Sequence, residues 1–287
     1  ELLPYLDLLA ADTEIELVAR LGDQALTLGQ VAEMMGMGGW ETERLLTEAT
    51  HRAVVDRQVT SDGVRYRAGN AYRRLTYLSM QDYEAWRAIP AAVRAPVLDW
   101  HLEENIRHHD LVRRLDLLRQ CPDDVPIHNR DILLLEEALA IVEAADLHVV
   151  VPCDCRTTVI GCDHPRWDTC LRLDDRGRRT LEQGEGQIVS REACREIVLN
   201  ADRAGLLHTG QRPENGRAAI LNGNCCPCCS YPMRAGVALG MAKLWPRSHY
   251  YARRDEAACV RCGLCVERCP FGAVSFTGGT WEIDGET

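Results

Sequence analysis

The chain is predicted to take a mixed fold, α+β in some parts and α/β in others. An amino-terminal module of helices closed by a hairpin is followed by a helical connector, a central α/β core rich in cysteine, and a small carboxy-terminal cysteine module. Three observations predict this. Segments of helical period run into an alternating stretch centred on Asp62-Gly63. A short apolar run, Leu147 to Val151, stands between two further helical segments. Of fourteen cysteines, twelve fall into three tight groups, leaving only Cys121 and Cys194 isolated. A chain of 287 residues with 46% apolar content can bury two or three separate cores. The boundaries expected are 1–76, 77–128, 129–248 and 249–287.

The amino-terminal elements follow in order. Glu14 to Leu21 reads as a helix, and Thr27 to Met37 as a second in which Val31, Ala32 and Met35 repeat at helical spacing. Gly38-Gly39 turns the chain into a third helix, Trp40 to Ala53, with Leu45, Leu46 and Ala49 inward. Val54 to Arg67 then alternates around Asp62-Gly63, a strong hairpin signal. Helix, helix-turn-helix and hairpin is the order of a winged-helix module. The helix in the recognition position carries Glu41, Glu43 and Glu48 against Arg44 and Arg52, the wrong sign for phosphates. Arg65, Arg67, Arg73 and Arg74 make a modest basic patch that could touch a nucleic-acid backbone. Docking or structural support is expected of this module rather than nucleic-acid binding, in line with a net charge of −10.

Tyr77 to Val125 reads as a helical connector. Trp86, Ile89, Val93, Val97 and Trp100 form its apolar set, and Pro90 and Pro96 break or bend its helices. His101, His108 and His109 fall among Glu103, Glu104 and Arg107, on what reads as a solvated helix face without a closed ligand set.

In the central region, Asn129 is a candidate cap for a helix over Arg130 to Ala145, which leads into the Leu147 to Val151 strand. Pro152 ends that strand, so Cys153 and Cys155 emerge at its tip. Ser190 caps a helix from Arg191 to about Ala204, closed by Gly205; a strand over Ala218 to Leu221 and a covering helix over Met233 to Leu244 complete the core.

Cysteine-dense small secreted domains are built on disulfides, but this chain is long, opens on no signal-peptide pattern and spaces its cysteines tightly. They read as metal ligands in a reducing cytoplasm. Cys153, Cys155, Cys162 and Cys170, separated by one, six and seven residues, make one group; Cys225-Cys226-Pro227-Cys228-Cys229 make another. In an extended Cys-x-Cys both sulfurs share a face and can approach one metal centre. Adjacent Cys225 and Cys226 would point to opposite faces of a regular strand. Gly223, Asn224 and Pro227 supply turn chemistry, so these four thiols could form one site or divide between two. A disulfide between neighbours is the competing reading. Arg156 could offset the negative charge of a thiolate-held cluster, against the alternative of an ordinary surface ion pair.

The third group, Cys259, Cys262, Cys265 and Cys269 followed by Pro270, has the C-x2-C-x2-C-x3-C-P spacing of bacterial ferredoxins, which wraps thiolates around a 4Fe–4S cubane. A zinc knuckle is the plainer competitor, but the evenly spaced third cysteine and the terminal Cys-Pro favour iron. The fourth cysteine of such a run characteristically reaches a different cluster, so a second is expected nearby. Twelve cysteines taken four at a time allow at most three cubanes; two to three clusters are expected. The chain stops about where a second ferredoxin run would begin, and Glu1 is not a methionine, so a longer native chain is expected.

The succession of Pro152-Cys153-Asp154-Cys155-Arg156, Gly161-Cys162-Asp163, Cys170, Cys225-Cys226-Pro227-Cys228-Cys229 and the Cys259 to Pro270 run resembles a poorly characterised family of bacterial 4Fe–4S binding proteins with a winged-helix-like start. The resemblance covers most of the chain. Family members commonly carry a second carboxy-terminal ferredoxin motif and a cysteine-richer middle cluster, where Gly223 and Ser230 stand here. The resemblance implies iron–sulfur binding and no particular substrate.

Three functional classes follow. Electron transfer with a protein redox partner is favoured: Gly184-x-Gly186 lacks the third glycine and the preceding strand of a dinucleotide fingerprint, and no phosphate loop is present. The alternative is a reductase or lyase in which a cubane with three cysteine ligands offers an open iron to a small-molecule substrate. Asp163, His164 and Arg166 beside Cys162 are then the candidates for substrate and proton handling, against plain loop structure or hydrogen bonding to cluster sulfurs. A redox-sensing transcription regulator is the third class. No apolar stretch is long enough to span a membrane.

Overall fold

The computed structural model describes residues 5–120, 131–164, 169–182, 184–211, 220–241, 247–269, 271–278 and 280–284. They fall into two compact units, divided between Glu104 and Asn105.

The first unit opens with α1 (Leu6–Leu9), α2 (Asp12–Leu21), α3 (Leu28–Met35) and α4 (Gly39–His51). Thr27 caps α3: its Oγ1 accepts from Gln30 N at 3.4 Å, and the Gln30 side chain accepts from Thr27 N at 3.0 Å. β1 (Val55–Thr60) and β2 (Gly63–Ala68) form the hairpin around Asp62-Gly63, in antiparallel register from Val55↔Ala68 to Thr60↔Gly63. Leu17, Leu21, Val31, Leu45, Leu46, Ala49 and Val55 bury the inner faces of these helices against the hairpin. α5 (Ala71–Gln81), α6 (Tyr83–Ala88) and α7 (Ala91–His108) follow, with a second core of Leu75, Leu78, Trp86, Ile89 and Val97. Pro90 stands just ahead of α7, while Pro96 lies within it.

Two expectations for this unit are corrected. His101 is fully buried rather than solvated: its ring stacks on Tyr72 at 4.4 Å between centroids, and Nε2 lies 3.0 Å from Thr76 Oγ1 and 3.1 Å from Tyr72 O. The helix turns His101 inward while His108 and His109 stay exposed. The basic patch is spent internally. Arg67 and Arg73 both pair with Asp56, at 3.3 and 2.6 Å; Arg65 donates to Ala25 O; buried Arg74 donates to the carbonyls of Leu8 and Leu9.

The second unit contains α8 (Leu111–Gln120), β3 (Asp131–Leu133), α9 (Leu135–Ala144), β4 (His148–Val151), α10 (Asp154–Thr158), β5 (Cys170–Leu173), α11 (Asp174–Glu182), β6 (Gln187–Ile188), α12 (Arg191–Arg203), β7 (Leu207–Gln211), β8 (Ile220–Cys225), α13 (Tyr231–Ala238), β9 (Arg247–Ser248), α14 (Leu264–Arg268), β10 (Val274–Thr277) and β11 (Thr280–Ile283). Among the described residues, seven strands form one sheet in the order β6-β4-β5-β8-β7-β3-β9, antiparallel except for β3 beside β9. The fold is therefore mixed α/β.

One predicted helix is divided. Asp131 to Leu133 forms a strand, paired with Gly210, Thr209 and His208 of β7, and the helix begins only at Leu135. Sheet pairing overrides the helical spacing of Ile132 and Leu135. The cap assigned to Asn129 falls outside the described residues. α12 agrees with its signals, since Ser190 Oγ accepts from Ala193 N at 3.1 Å and Gly205 leaves the helix at a φ of +73°.

β4 is buried on both faces. On one side Val150 packs with Leu171, Leu173, Ala138, Val142, Cys194 and Val198 beneath α9 and α12. On the other, Val149 and Val151 pack with Cys153 and Cys170. The two-residue strand period carries that second face directly into the cysteines.

Candidate metal centre

Two chain segments deliver the first set of thiols. Cys153 follows β4 on the side of Val149 and Val151, and Cys170 pairs with Val151 at the start of β5, so both sulfurs emerge on one face at one end of the sheet. Cys155 lies two residues on from Cys153, in the first turn of α10. The ligand atoms of Cys153, Asp154 and Cys155 all lie within 4.8 Å of one another. Cys153, Cys155, Cys170, Cys225, Cys226 and Cys229 all line one cavity. Gly223 makes the approach possible: it pairs with Cys170 at a φ of +151°, and a Cβ there would stand 3.1 Å from Cys170 Cα.

The second set forms where β8 ends. Cys162, Cys226, Cys228 and Cys229 place their sulfurs within 4.8 Å of one another. Individual separations are 3.7 Å for Cys162–Cys226, 3.9 Å for Cys162–Cys228 and 2.7 Å for Cys226–Cys229. Gly161, at a φ of +80°, reverses the chain after α10 and brings Cys162 to this group. The arrangement redraws the grouping suggested by nearness along the chain. Cys162 stands with Cys226, Cys228 and Cys229, while Cys225 faces the cavity of Cys153, Cys155 and Cys170.

Arg156 lies beneath both sets, 4% exposed rather than at the surface. It donates through Nε to Cys226 Sγ at 3.3 Å and through Nη2 to Asn224 O at 2.8 Å. Burial opposes its charge, but the sulfurs of Cys153, Cys226 and Cys229 more than restore it, holding the guanidinium above its ordinary pKa. The hydrogen bond with Cys229 and the nearby guanidinium pull Cys226 down to about 4, against its burial. Its neighbours go the other way. Cys229 is raised by Cys226 and by burial, and Cys228 is pushed up to about 12 by burial and then by Cys226. Cys153 is raised by its hydrogen bond to Cys155 and by burial, Cys170 by Cys153 and by burial. At Cys155 the bond with Cys153 lowers the pKa, but burial and Asp154 outweigh it and carry the thiol to about 12. Thiols this crowded cannot all ionise unless a cation joins them, which is the electrostatic condition of a metal site.

Several partners at this site carry no recognisable sequence mark. Thr209 Oγ1 lies 3.2 Å from Cys225 Sγ, and His208 Nδ1 lies 2.7 Å from Asn224 Oδ1, both groups brought in by β7. Asn224 also holds Thr169 O through its backbone N–H at 2.9 Å. β7 is only five residues long and has no distinct pattern of its own after Gly205. Asp163 is exposed and His164 half-buried beside Cys162, whereas Arg166 and Cys121 lie outside the described residues. Cys194 is fully buried in the apolar core, as expected of an isolated cysteine.

The carboxy-terminal run is a surface feature. Cys262 and Cys265 are exposed, Cys259 and Cys269 partly so. Positive φ at Arg261 (+57°) and Gly263 (+77°) tightens the turns between the cysteines, and α14 carries Cys265. Trp281 Nε1 on β11 donates to Cys265 Sγ at 3.1 Å, while Arg254 covers the same indole at 5.1 Å. Arg268 anchors α14 by donating to Asp202 O at 2.6 Å. Pro270 lies outside the described residues.

Comparison with protein-family models finds a 4Fe–4S binding domain at residues 252–275, spanning all four cysteines of this run. Searches of curated proteins and of solved structures find no significant match. The matched domain and the cysteine groups together point to 4Fe–4S binding and to an iron–sulfur protein.

Proposed function

We propose that this chain is a multi-cluster iron–sulfur protein that passes single electrons to or from a protein redox partner. The observation that carries the reading is the matched 4Fe–4S domain, whose Cys262 and Cys265 lie exposed. A cluster held there by Cys259, Cys262, Cys265 and Cys269 sits within reach of a docking partner, and the Trp281 N–H on Cys265 favours the reduced, more negative state. Cys153, Cys155, Cys170 and Cys225 around one buried cavity are the proposed ligands of a second cluster, with Arg156 offsetting its charge. The cytoplasm, which keeps thiols reduced, is the compartment this chemistry suits.

The amino-terminal unit fits a winged-helix-like docking module. Its helices and hairpin have that order, α4 presents Glu41, Glu43 and Glu48, and its arginines are engaged within the unit. This disfavours the regulator reading. Among the described residues no helix is long and apolar enough to cross a membrane.

Anaerobically purified protein should contain iron and acid-labile sulfide, give a cubane electron paramagnetic resonance signal on reduction, and reoxidise when mixed with a one-electron protein acceptor. A sulfide-free preparation would sink the reading. A signal that changes on adding a small substrate would favour the open-iron enzyme, with Asp163 and His164 at the site.

A further inference from the structure

We infer that Cys162, Cys226, Cys228 and Cys229 hold one tetrahedral divalent ion of the zinc class, without inorganic sulfide, beside the proposed clusters. The argument is one of size. Metal–thiolate bonds of about 2.3 Å place the sulfurs of a tetrahedral site about 3.8 Å apart. Cys162 stands 3.7 Å from Cys226 and 3.9 Å from Cys228, and the whole quartet fits within 4.8 Å. A cubane imposes a wider frame, because each thiolate binds its own iron and the sulfurs are spread by the width of the cluster between them. Cys226 and Cys229, at 2.7 Å, are closer than the single-ion edge, and an ion entering between them would open the pair by about 1 Å.

The donor set agrees with the geometry. Four thiolates make a closed structural site with no position left for water or substrate, and sulfur-only tetrahedra select zinc or iron. Cys226 and Cys229 have the Cys-x2-Cys spacing common in such sites. Arg156 Nε, 3.3 Å from Cys226 Sγ, offsets the double negative charge that four thiolates leave around one divalent ion. Cys228 is exposed, which gives the ion a way in, while Cys226 and Cys229 are buried. This inference does not depend on the electron-transfer reading.

The test is metal and sulfide analysis of the full chain, purified without oxygen from zinc- and iron-supplemented cells, alongside Cys228→Ser and Cys262→Ser. C228S should lose one zinc, or one iron, per chain with sulfide unchanged. C262S should lose iron and sulfide together and keep the single ion. Loss of sulfide from C228S, or retention of every metal by it, overturns the inference. Should C228S fail to accumulate, X-ray absorption at the zinc edge of the unmodified protein decides. Four sulfurs at about 2.3 Å with no neighbouring metal support the single ion, whereas absence of zinc together with sulfide enough for three cubanes overturns it.

Discussion

Cys194 and Cys226 show how far one residue type can be pushed in opposite directions. Cys194 packs fully buried against Ala138, Val142 and Val198, and burial alone lifts its thiol from 9.0 to about 12. Cys226, beside Cys229 and Arg156, is pulled the other way, below its ordinary value. The first is inert and structural, and the second is ready to bind metal at neutral pH. For Cys194 the linkage has a definite sign. On raising the pH the unfolded chain ionises near 9.0 and the folded chain only near 12, so this contribution to stability is intact below pH 9 and lost between pH 9 and 12. The slope is up to about 1.4 kcal/mol per pH unit. Denaturant titrations of wild type and Cys194→Ala should therefore converge across that window, and parallel curves would contradict the assignment. The inertness of Cys194 was legible from its isolation among helical residues. The reassignment of Cys162 was not, because partners are chosen by the turn at Gly161 rather than by distance along the chain.

Elements differ in how openly they announce themselves. The β1–β2 hairpin is legible because Asp62-Gly63 supplies the required turn between alternating strands, and α12 because Ser190 and Gly205 mark both ends. β3 and β7 are not, since each is short and is held by its sheet neighbours, β3 by β7 and β9 and β7 by β3 and β8. The junction of β5 and β8 depends on Gly223. A methyl group there would stand 3.0 Å from Thr169 O and 3.1 Å from Cys170 Cα, at a backbone angle that side chains resist. Gly223→Ala should cost about 1–3 kcal/mol and displace Cys170 from its cavity. The variant is expected to melt lower and to retain less iron and sulfide. Full metal content with unchanged melting would contradict this role for the glycine.

At the scale of the whole molecule, the two units differ in what holds them together. The two cores of the first contain no cysteine, whereas two of the clusters packing the second are built around thiols. Metal removal should thus act on one unit only, because binding free energy at such sites is folding free energy. Limited proteolysis of the chelator-stripped chain is expected to leave a resistant fragment ending near Glu104 while residues beyond it are digested. Equal survival, or equal loss, of both would contradict the division. The mixed architecture and the clustering of metal-binding residues could be read in advance, whereas the seven-strand order that joins them could not, because antiparallel pairing between distant segments leaves no local pattern. The adjacency of Cys225 and Cys226 carries a last consequence. A single peptide unit links Cys225, a proposed cluster ligand, to Cys226, a proposed ligand of the single ion, so anchoring either sulfur restricts the other. Filling one site therefore helps to position a ligand of the other.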